Sequence, residues 1–505
     1  MPFVSARALA VAAASLATVA ASAQLRVATW NISFYGGGRI ADIQAAVYGV
    51  FQGRSMAPDV LLGQEFLSDA ALQDMRTALN TAPGSPGDWV AAPFIDGPDT
   101  ESVCLYRSSK VDFLGVVIAS TGAGVSTEPP RNTYRYDFRL KGYNAEAASI
   151  SMYSSHMKSG SASSDQARRL IEAQRIRANA AALPPGRHFL FGGDTNIQSS
   201  GQAAYQALVG SPGNPGQFFD PIFSPGTWNN SGSFVFVHTQ DPIGAGGMDD
   251  RHDQVLISAG LLDGRGFDYI GNPVPYSTST WNDTNHTYRS WGNDGTSFNT
   301  SLAVTNNAMV GPAIAQALIN CAAGAGHLPV FLDLRVPAKV QATSTVDFGP
   351  VVLGRTSTRQ VQVSNGGNVA LWTASGIAPL SYSFNAPAGV SAPAGTFTGP
   401  AGAAASSHDL VFTASGPLGA VSNVVTLASN DVDAPSVGIV YTARVVPQGD
   451  TDLDGRVNFV DLNAVLTGFG SVAQPDQTLP GDVTFDGVVN FADLNLVLTN
   501  FGQGV

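Results

Sequence analysis

His188-Phe189-Leu190-Phe191-Gly192, continuing into Gly193-Asp194-Thr195-Asn196, decides how the first two-thirds of the chain reads. The apolar run is the length of a buried strand and too short for an ordinary helix. It ends on two glycines, then an acid and an amide. Glycine weakens a strand unless something must approach its backbone closely. Ionisable groups at strand ends are where a sheet-based enzyme exposes its chemistry.

The same pattern recurs outward from this point. Leu25–Asn31 reads as a strand ending in Trp30-Asn31, and Asp59–Glu65 as one ending in Gln64-Glu65. Ser102–Tyr106 is another strand. Ala148–Ser155 leads into Ser155-His156-Met157-Lys158-Ser159. Asp249-Asp250-Arg251-His252-Asp253 precedes the strand Gln254–Ser258, and Gly326-His327-Leu328-Pro329 precedes the strand Val330–Leu334. Ile40–Phe51 has helical spacing. Asp165–Leu183 predicts a long amphipathic helix capped by Ser164 or Asp165. The layout is α/β or α+β.

Hydrolysis of a phosphodiester needs neutralised charge, an oriented water and a stabilised leaving oxygen. Magnesium-type ions take one or two carboxylates plus water. An Asn amide adds a ligand oxygen without adding charge, and an Asp behind a His sets its tautomer. Asn31, Glu65, His156, Asp194, Asn196, Asp253 and His327 form such a set, in order. Asp249 and Asp250 compete with Asp253 for the place behind His327. Lys158 and Arg251 face phosphate or serve structure.

In this order the motifs resemble the endonuclease/exonuclease/phosphatase superfamily, the DNase I-like fold, across residues 25–335. Gly246-Gly247-Met248-Asp249-Asp250-Arg251 and Gly292-Asn293-Asp294-Gly295, followed by Phe298-Asn299, are similar to segments of its secreted bacterial members. The resemblance implies a four-layer αββα sandwich over residues 24–337 and a metal-dependent phosphodiesterase, foremost a nuclease. It implies that Asn31 and Glu65 hold Mg2+ or Mn2+. Asp194 then positions water and Asn196 orients the phosphate. His156 contacts the phosphate or the leaving side, and His327, oriented by Asp253, stabilises the phosphorane. Two alternatives stand beside it. A sphingomyelinase-type phospholipid phosphodiesterase would need an exposed aromatic loop, for which Trp281 and Trp291 are the candidates. A binding scaffold with an impaired site is suggested by Gly326, where the family's Ser-Asp-His has its Asp.

The formal net charge of −12 argues against indiscriminate nucleic-acid binding. Residues 1–23 read as an export signal: Arg7, an apolar run from Ala8 to Ala20, then Ala21-Ser22-Ala23 as a cleavage site. The expected location is therefore secreted or cell-surface associated. No later stretch has the length of a membrane span. Cys104 and Cys321 could form one disulfide in an oxidising compartment.

Residues 338–446 are nearly uncharged, with short alternating runs such as Arg359–Val363 and Val424–Leu427 and a turn signal at Asn365-Gly366-Gly367-Asn368. They predict an Ig-like β-sandwich acting as a spacer. Residues 447–505 contain a duplication. Asp450, Asp452, Asp454, Asn458 and Asp461 recur as Asp482, Thr484, Asp486, Asn490 and Asp493, with Gly455 and Gly487 at the sharp turn. This is the oxygen spacing of a Ca2+ loop. The segment resembles a type I dockerin, a small α-helical module, which implies a cohesin-like partner. Phe459-Val460 and Phe491-Ala492 stand where cellulosomal dockerins carry Ser/Thr pairs.

Overall fold

The computed structural model describes residues 24–210, 213–244, 246–324, 326–474 and 478–505. The expected signal segment and Ala325 lie outside the described residues. In chain order, residues 24–337 form β1 (Leu25–Tyr35), α1 (Ile40–Tyr48), β2 (Val60–Phe66), α2 (Asp69–Thr81), β3 (Trp89–Ala91), β4 (Glu101–Arg107), β5 (Val111–Ser120), β6 (Thr133–Leu140) and β7 (Ser149–His156). Then come α3 (Ser163–Ala181), β8 (His188–Asp194), α4 (Ala203–Val209), β9 (Phe218–Phe219), β10 (Asp253–Ser258), β11 (Asp268–Tyr269), β12 (Arg289–Ser290), α5 (Gly311–Cys321) and β13 (Val330–Arg335).

These strands make two sheets. One runs β11-β13-β1-β2-β4-β3, with β12 also paired to β13; the other runs β5-β6-β7-β8-β10-β9. Strand side chains alternate between faces, and β1 shows the consequence. Its Leu25 and Val27 join Val60 and Leu62 against Tyr136, Phe138, Ile150 and Leu190 of the second sheet. Its Ala28, Trp30 and Ile32 face the other way, onto α1, α2 and α5. The second sheet turns Tyr153, Phe189 and Phe191 outward onto α3 and α4. The result is a mixed α/β body of four layers, helices–sheet–sheet–helices, in the order the resemblance implies.

Two local expectations fail. The α3 helix begins at Ser163 with Ala162 as its N-cap and no N-cap side chain, while Asp165 in the first turn accepts from the Ala162 backbone and pairs with Lys158 at 3.2 Å. Cys104 and Cys321 are both free and buried. Cys104 faces the space between the sheets, whereas Cys321 sits on α5 against the opposite face of the first sheet, so the sheet separates them. Among the described residues no helix is long and apolar enough to cross a membrane.

Residues 338–446 form β14 (Val340–Ala342), β15 (Thr345–Val352), β16 (Thr356–Asn365), α6 (Val369–Trp372), β17 (Leu380–Asn385), β18 (Val390–Ser391), β19 (Phe397–Gly399), β20 (Ser406–Thr413), β21 (Gly419–Ser429) and β22 (Ser436–Val446). A four-stranded sheet (β14-β16-β20-β18) packs on a five-stranded one (β15-β22-β21-β17-β19). They share a core that includes Val361, Leu410, Phe412, Val425, Ile439 and Tyr441.

The sandwich expected as a spacer also packs directly on the first region. Asn368 accepts hydrogen bonds from the backbone of Ala370 and Leu371 and so caps α6, which delivers Trp372 into the core between the sheets of the first region. Lys110 lies over the Trp372 ring at 4.7 Å and donates to the Leu371 carbonyl. Asp433 accepts from the backbone N–H groups of Asn144 and Ala145. The ring of Trp372 leaves water against the first region, so the two regions share this apolar contact. The tail holds α7 (Phe459–Gly468) and α8 (Phe491–Asn500), one after each acidic loop.

Candidate active site

Strand register assembles the site. The parallel pairing of β7 and β8 sets His156 beside Asp194, and the antiparallel pairing of β10 and β8 sets Asp253 beside Asp194 on its other flank. In the first sheet β1 and β2 align Asn31 with Gln64, which leaves Glu65 one residue beyond. The glycines before Asp194 let this happen. A Cβ on Gly193 would lie 1.9 Å from the Ser155 carbonyl oxygen, and one on Gly192 would lie 2.8 Å from Leu62 across the sheets.

The two sheet ends are joined by one amide. Asn31 Nδ2 donates to Glu65 Oε1 at 2.9 Å and to Asp194 Oδ2 at 3.1 Å. Its Oδ1 accepts from the Ser33 backbone, and Glu65 Oε2 accepts from the Phe34 backbone at 2.9 Å. His156 bridges the same carboxylates, with Nε2 3.3 Å from Asp194 and Nδ1 3.6 Å from Glu65. His327 Nδ1 donates to Asp253 Oδ2 at 2.6 Å, and its Nε2 faces Asp194 Oδ2 at 3.6 Å. Asp194 Oδ1 accepts from the Asn196 backbone at 2.9 Å, and Asn196 Nδ2 donates to the Met157 carbonyl. All seven expected residues therefore meet at one end of the two sheets. Glu65, His156, Asp194, Asn196 and His327 border a cleft of about 190 Å3, with Asn31 and Asp253 buried behind it.

Four non-glycine residues of this cleft hold left-handed backbone: Ser33 (φ 54°), Phe34 (φ 44°), Glu65 (φ 65°) and Asn196 (φ 50°). Such conformations cost on the order of 1–3 kcal/mol each and persist where the surroundings over-determine them. Here they turn backbone N–H groups onto Glu65 and Asp194.

The electrostatics divide the roles. Burial alone would raise the Asp194 pKa, but His156, His327 and His252 hold it well below the usual carboxylate range. Burial works against a charged His327, yet Asp253 and Asp194 outweigh it and push its pKa up to about 10. His156 goes the other way: burial lowers its pKa, although Asp194 and Glu65 oppose the shift. Its Nδ1 is buried without a hydrogen bond. The cleft thus holds an ionised acid, an imidazolium and a neutral imidazole at neutral pH.

The donor set suits a hard divalent cation. Glu65 and Asp194 bring carboxylate oxygens to the same amide, and among the described residues no salt bridge to Lys or Arg neutralises either one. Oxygen-rich sets of this kind prefer Mg2+ or Mn2+ over thiophilic metals.

The alternatives left open by the sequence separate cleanly. Asp253, not Asp249 or Asp250, stands behind His327; Asp250 accepts from Asn229 and lies 3.6 Å from His252. Arg251 is fully buried, forks onto Asp220 at 2.8 and 2.9 Å, and stacks on Trp228, so it is structural. Lys158 is held by Asp165 and Ser159. A Cβ at Gly326 would lie 2.1 Å from that of Ala322, so packing at the end of α5 excludes any side chain there. His327 takes its support from Asp253 instead.

Arg131 was not legible in the sequence, where it lies in no motif. It borders the cleft, pairs with Asp99 at 3.2 Å, and keeps a buried Nη1 that has no partner. Behind the site, Glu172 of α3 accepts from Thr133 and Ser155 at 2.7 and 2.8 Å. Burial outweighs these bonds and raises its pKa from 4.5 to about 7. The fold therefore favours the protonated acid, and this contribution to stability is complete below about pH 4.5 and lost as pH rises to about 7. The shift corresponds to about 3 kcal/mol. Urea unfolding should show Glu172→Gln gaining about 2–3 kcal/mol on the parent between pH 5 and pH 8. An unchanged difference at the two pH values would contradict the buried-acid account.

The tail carries two acidic groups. The carboxylates of Asp450, Asp452 and Asp454 lie within 4.8 Å of one another, as do those of Asp482, Asp486 and Asp493. Asp450 Oδ1 is buried without a partner, and burial, with Asp461, Asp454 and Asp452 nearby, raises its pKa to about 6. The other expected ligands are engaged in helix capping. Asn458 and Asp461 form a capping box on α7, and Asn490 and Asp493 one on α8. Thr484 Oγ1 donates to Asp493 at 2.9 Å.

No family model and no curated protein matches the chain. Solved structures do. A humanised D. rerio TDP2 aligns at 15% identity over 62% of this chain and all of its own, with a TM-score of 0.36. A Bacteroides thetaiotaomicron mannosyl-6-phosphatase aligns at 14% identity over 61% of this chain and 99% of its own, TM-score 0.34. An endonuclease/exonuclease/phosphatase family protein from the same organism aligns at 17% identity over 62% and 94%, TM-score 0.33.

Proposed function

We propose that residues 24–337 hydrolyse phosphate esters with a divalent metal, and that the substrate is a phosphodiester of nucleic-acid type. The observation that carries this reading is the triple contact of Asp194 with Asn31, His156 and His327 at the meeting point of two sheets. Glu65 and Asn31 are the residues suited to hold Mg2+ or Mn2+, which when bound would neutralise charge and polarise the phosphoryl oxygen. Asp194, kept ionised, orients a water and accepts its proton as the new P–O bond forms and the ester P–O bond breaks, and the leaving oxygen takes a proton from solvent on the His156 side. The imidazolium of His327 donates through Nε2 to the phosphoryl oxygens, with Asp253 fixing its tautomer. His156 and the free Nη1 of Arg131 face the remaining oxygens, and Asn196 orients the phosphate. Phe34, 65% exposed at the cleft mouth, offers a ring on which a base can stack.

The nucleic-acid reading is preferred to a phospholipid one because Trp291 is buried with its Nε1 bonded to Ala46 and half-buried Trp281 is stacked by Arg54. It is preferred to an impaired scaffold because the other expected residues converge, while Gly326 is tightly packed against Ala322. The experiment is a panel of DNA, RNA and a simple bis-ester assayed with Mg2+ or Mn2+ and with EDTA. Metal-dependent cleavage is expected; no turnover on any of them would remove the proposal.

The same reading makes the chain a secreted protein in which residues 338–446 are an Ig-like sandwich fused to the enzyme. Residues 447–505 are a dockerin-like Ca2+ module that tethers it, through a cohesin-like partner, to a surface or complex. The buried, unpartnered Asp450 oxygen supports the Ca2+ assignment. Calorimetry should detect Ca2+ binding in the parent and lose it in Asp450→Ala/Asp482→Ala. Undiminished binding in that variant would place the ions elsewhere.

A further inference from the structure

A second cavity, of about 290 Å3, lies on the outer face of the first sheet. It shares no residue with the catalytic cleft. Arg26 on its floor is five residues before Asn31 on β1, about 17 Å away at the rise of a strand. Its volume is at the small end of ligand pockets.

Its charge is unusual for an acidic chain. Arg26, Arg54 and Arg289 line it with Asp333 as the sole carboxylate. Arg26 is consumed by structure, forking onto Asp333 and donating to the Ser55 and Met56 carbonyls. The other two arginines pair with no carboxylate among the described residues. Arg54 spends Nε and Nη2 on Met309, Ala308 and Gln52, which leaves Nη1 without a protein acceptor. Arg289 spends its terminal nitrogens on Asn282 and on backbone carbonyls and also hydrogen-bonds Tyr276, so it lends the cavity its charge rather than a free donor. The Asn282 amide nitrogen is a second open donor. Stacking holds Arg54 in place, with its guanidinium 5.0 Å from the Trp281 ring centre. Buried Trp291 and Phe331 supply apolar walls.

An open guanidinium donor on Arg54 fixed by aromatic stacking, in a lining of net positive charge, is suited to an oxyanion, and the walls to a flat apolar group. We propose that this pocket binds a small planar ligand carrying a phosphate or a carboxylate, independently of the catalytic cleft. The net positive lining holds the anion, and the ring packs between the tryptophans.

Calorimetry on the whole chain in EDTA tests this with four probes: AMP, benzoate, adenosine and inorganic phosphate. AMP or benzoate should bind at least about 10-fold tighter than adenosine or phosphate, because only they combine ring and charge. Binding of AMP alone assigns the anion as phosphate, and of benzoate alone as carboxylate. Arg54→Met should weaken the tighter probe about 10-fold or more, and His327→Ala should leave it unchanged. Asn282→Leu, at an exposed position, gives the same direction should Arg54→Met fail to fold. No saturable binding of either probe, or binding lost in His327→Ala and kept in the pocket variants, would overturn the proposal.

Discussion

Asp194→Ala and His327→Ala are each expected to slow phosphodiester cleavage by about 10²–10⁴-fold, the range for losing a positioned base or a transition-state donor. The two effects should not add, because the residues act through the same phosphate. Asp194 lies within 3.6 Å of both histidines and receives Asn31, so removing its carboxylate frees three partners at once. Asp194→Asn keeps the volume and most of the hydrogen bonds and isolates the charge. It should be nearly as slow while melting close to the parent. Asp253→Asn tests the tautomer, since an amide facing Nδ1 no longer requires a proton there. Arg131→Met removes one phosphate donor outside this network, and a smaller loss of about 10-fold is expected. Steady-state rates with Mg2+ on a bis-ester, beside circular dichroism of each variant, give the ranking. If Asp194→Asn or His327→Ala retains a tenth of the parent rate, the chemistry is not centred on these residues.

Much of this centre is readable without coordinates for a physical reason. A strand buried on both faces reads as an apolar run, so Asn31, Glu65, His156 and Asp194 interrupt the pattern where each run ends. Register then does the rest: three of the four sites on the second sheet sit level across β7, β8 and β10. Arg251 shows the limit. Its motif suggested phosphate, but its partner Asp220 lies 31 residues away in an unremarkable loop. Arg131 is the converse, a charge at the cleft that no local pattern marks. The α2 helix carries local signals, with Ser68 capping it and Leu72, Met75 and Leu79 on one face. The start of α3 is less legible, because its N-cap is Ala162, which has no capping side chain, and Asp165 acts from the first turn. At Gly326 the sequence shows only a missing carboxylate, and the close packing of Ala322 against it is a tertiary feature.

The least legible feature has the largest structural consequence. Trp372→Ala is expected to destabilise the first region by about 3–5 kcal/mol, the usual cost of emptying a buried tryptophan site. The residue belongs to the sandwich by sequence and to the first region by burial. It is 1% exposed and packs in the cluster that also holds Tyr143, Ala148, Phe267 and Val336. Lys110, itself buried, loses its aromatic face in the variant but keeps the Leu371 carbonyl. Most of the cost therefore comes from the cavity rather than from the cation. A chain ending at Pro337 should fare worse still, because it also loses Ile377, Ala401 and the contacts of Asp433. Its active-site residues would all be present, so a fall in soluble, active protein would measure the support the sandwich gives. Denaturant unfolding followed by cleavage activity and by far-ultraviolet circular dichroism distinguishes the two accounts. In a fused fold both signals shift together to lower denaturant in Trp372→Ala. A loose spacer predicts that activity midpoints stay where they are, and a chain of residues 24–337 as stable as the parent would establish that the first region stands without its neighbour.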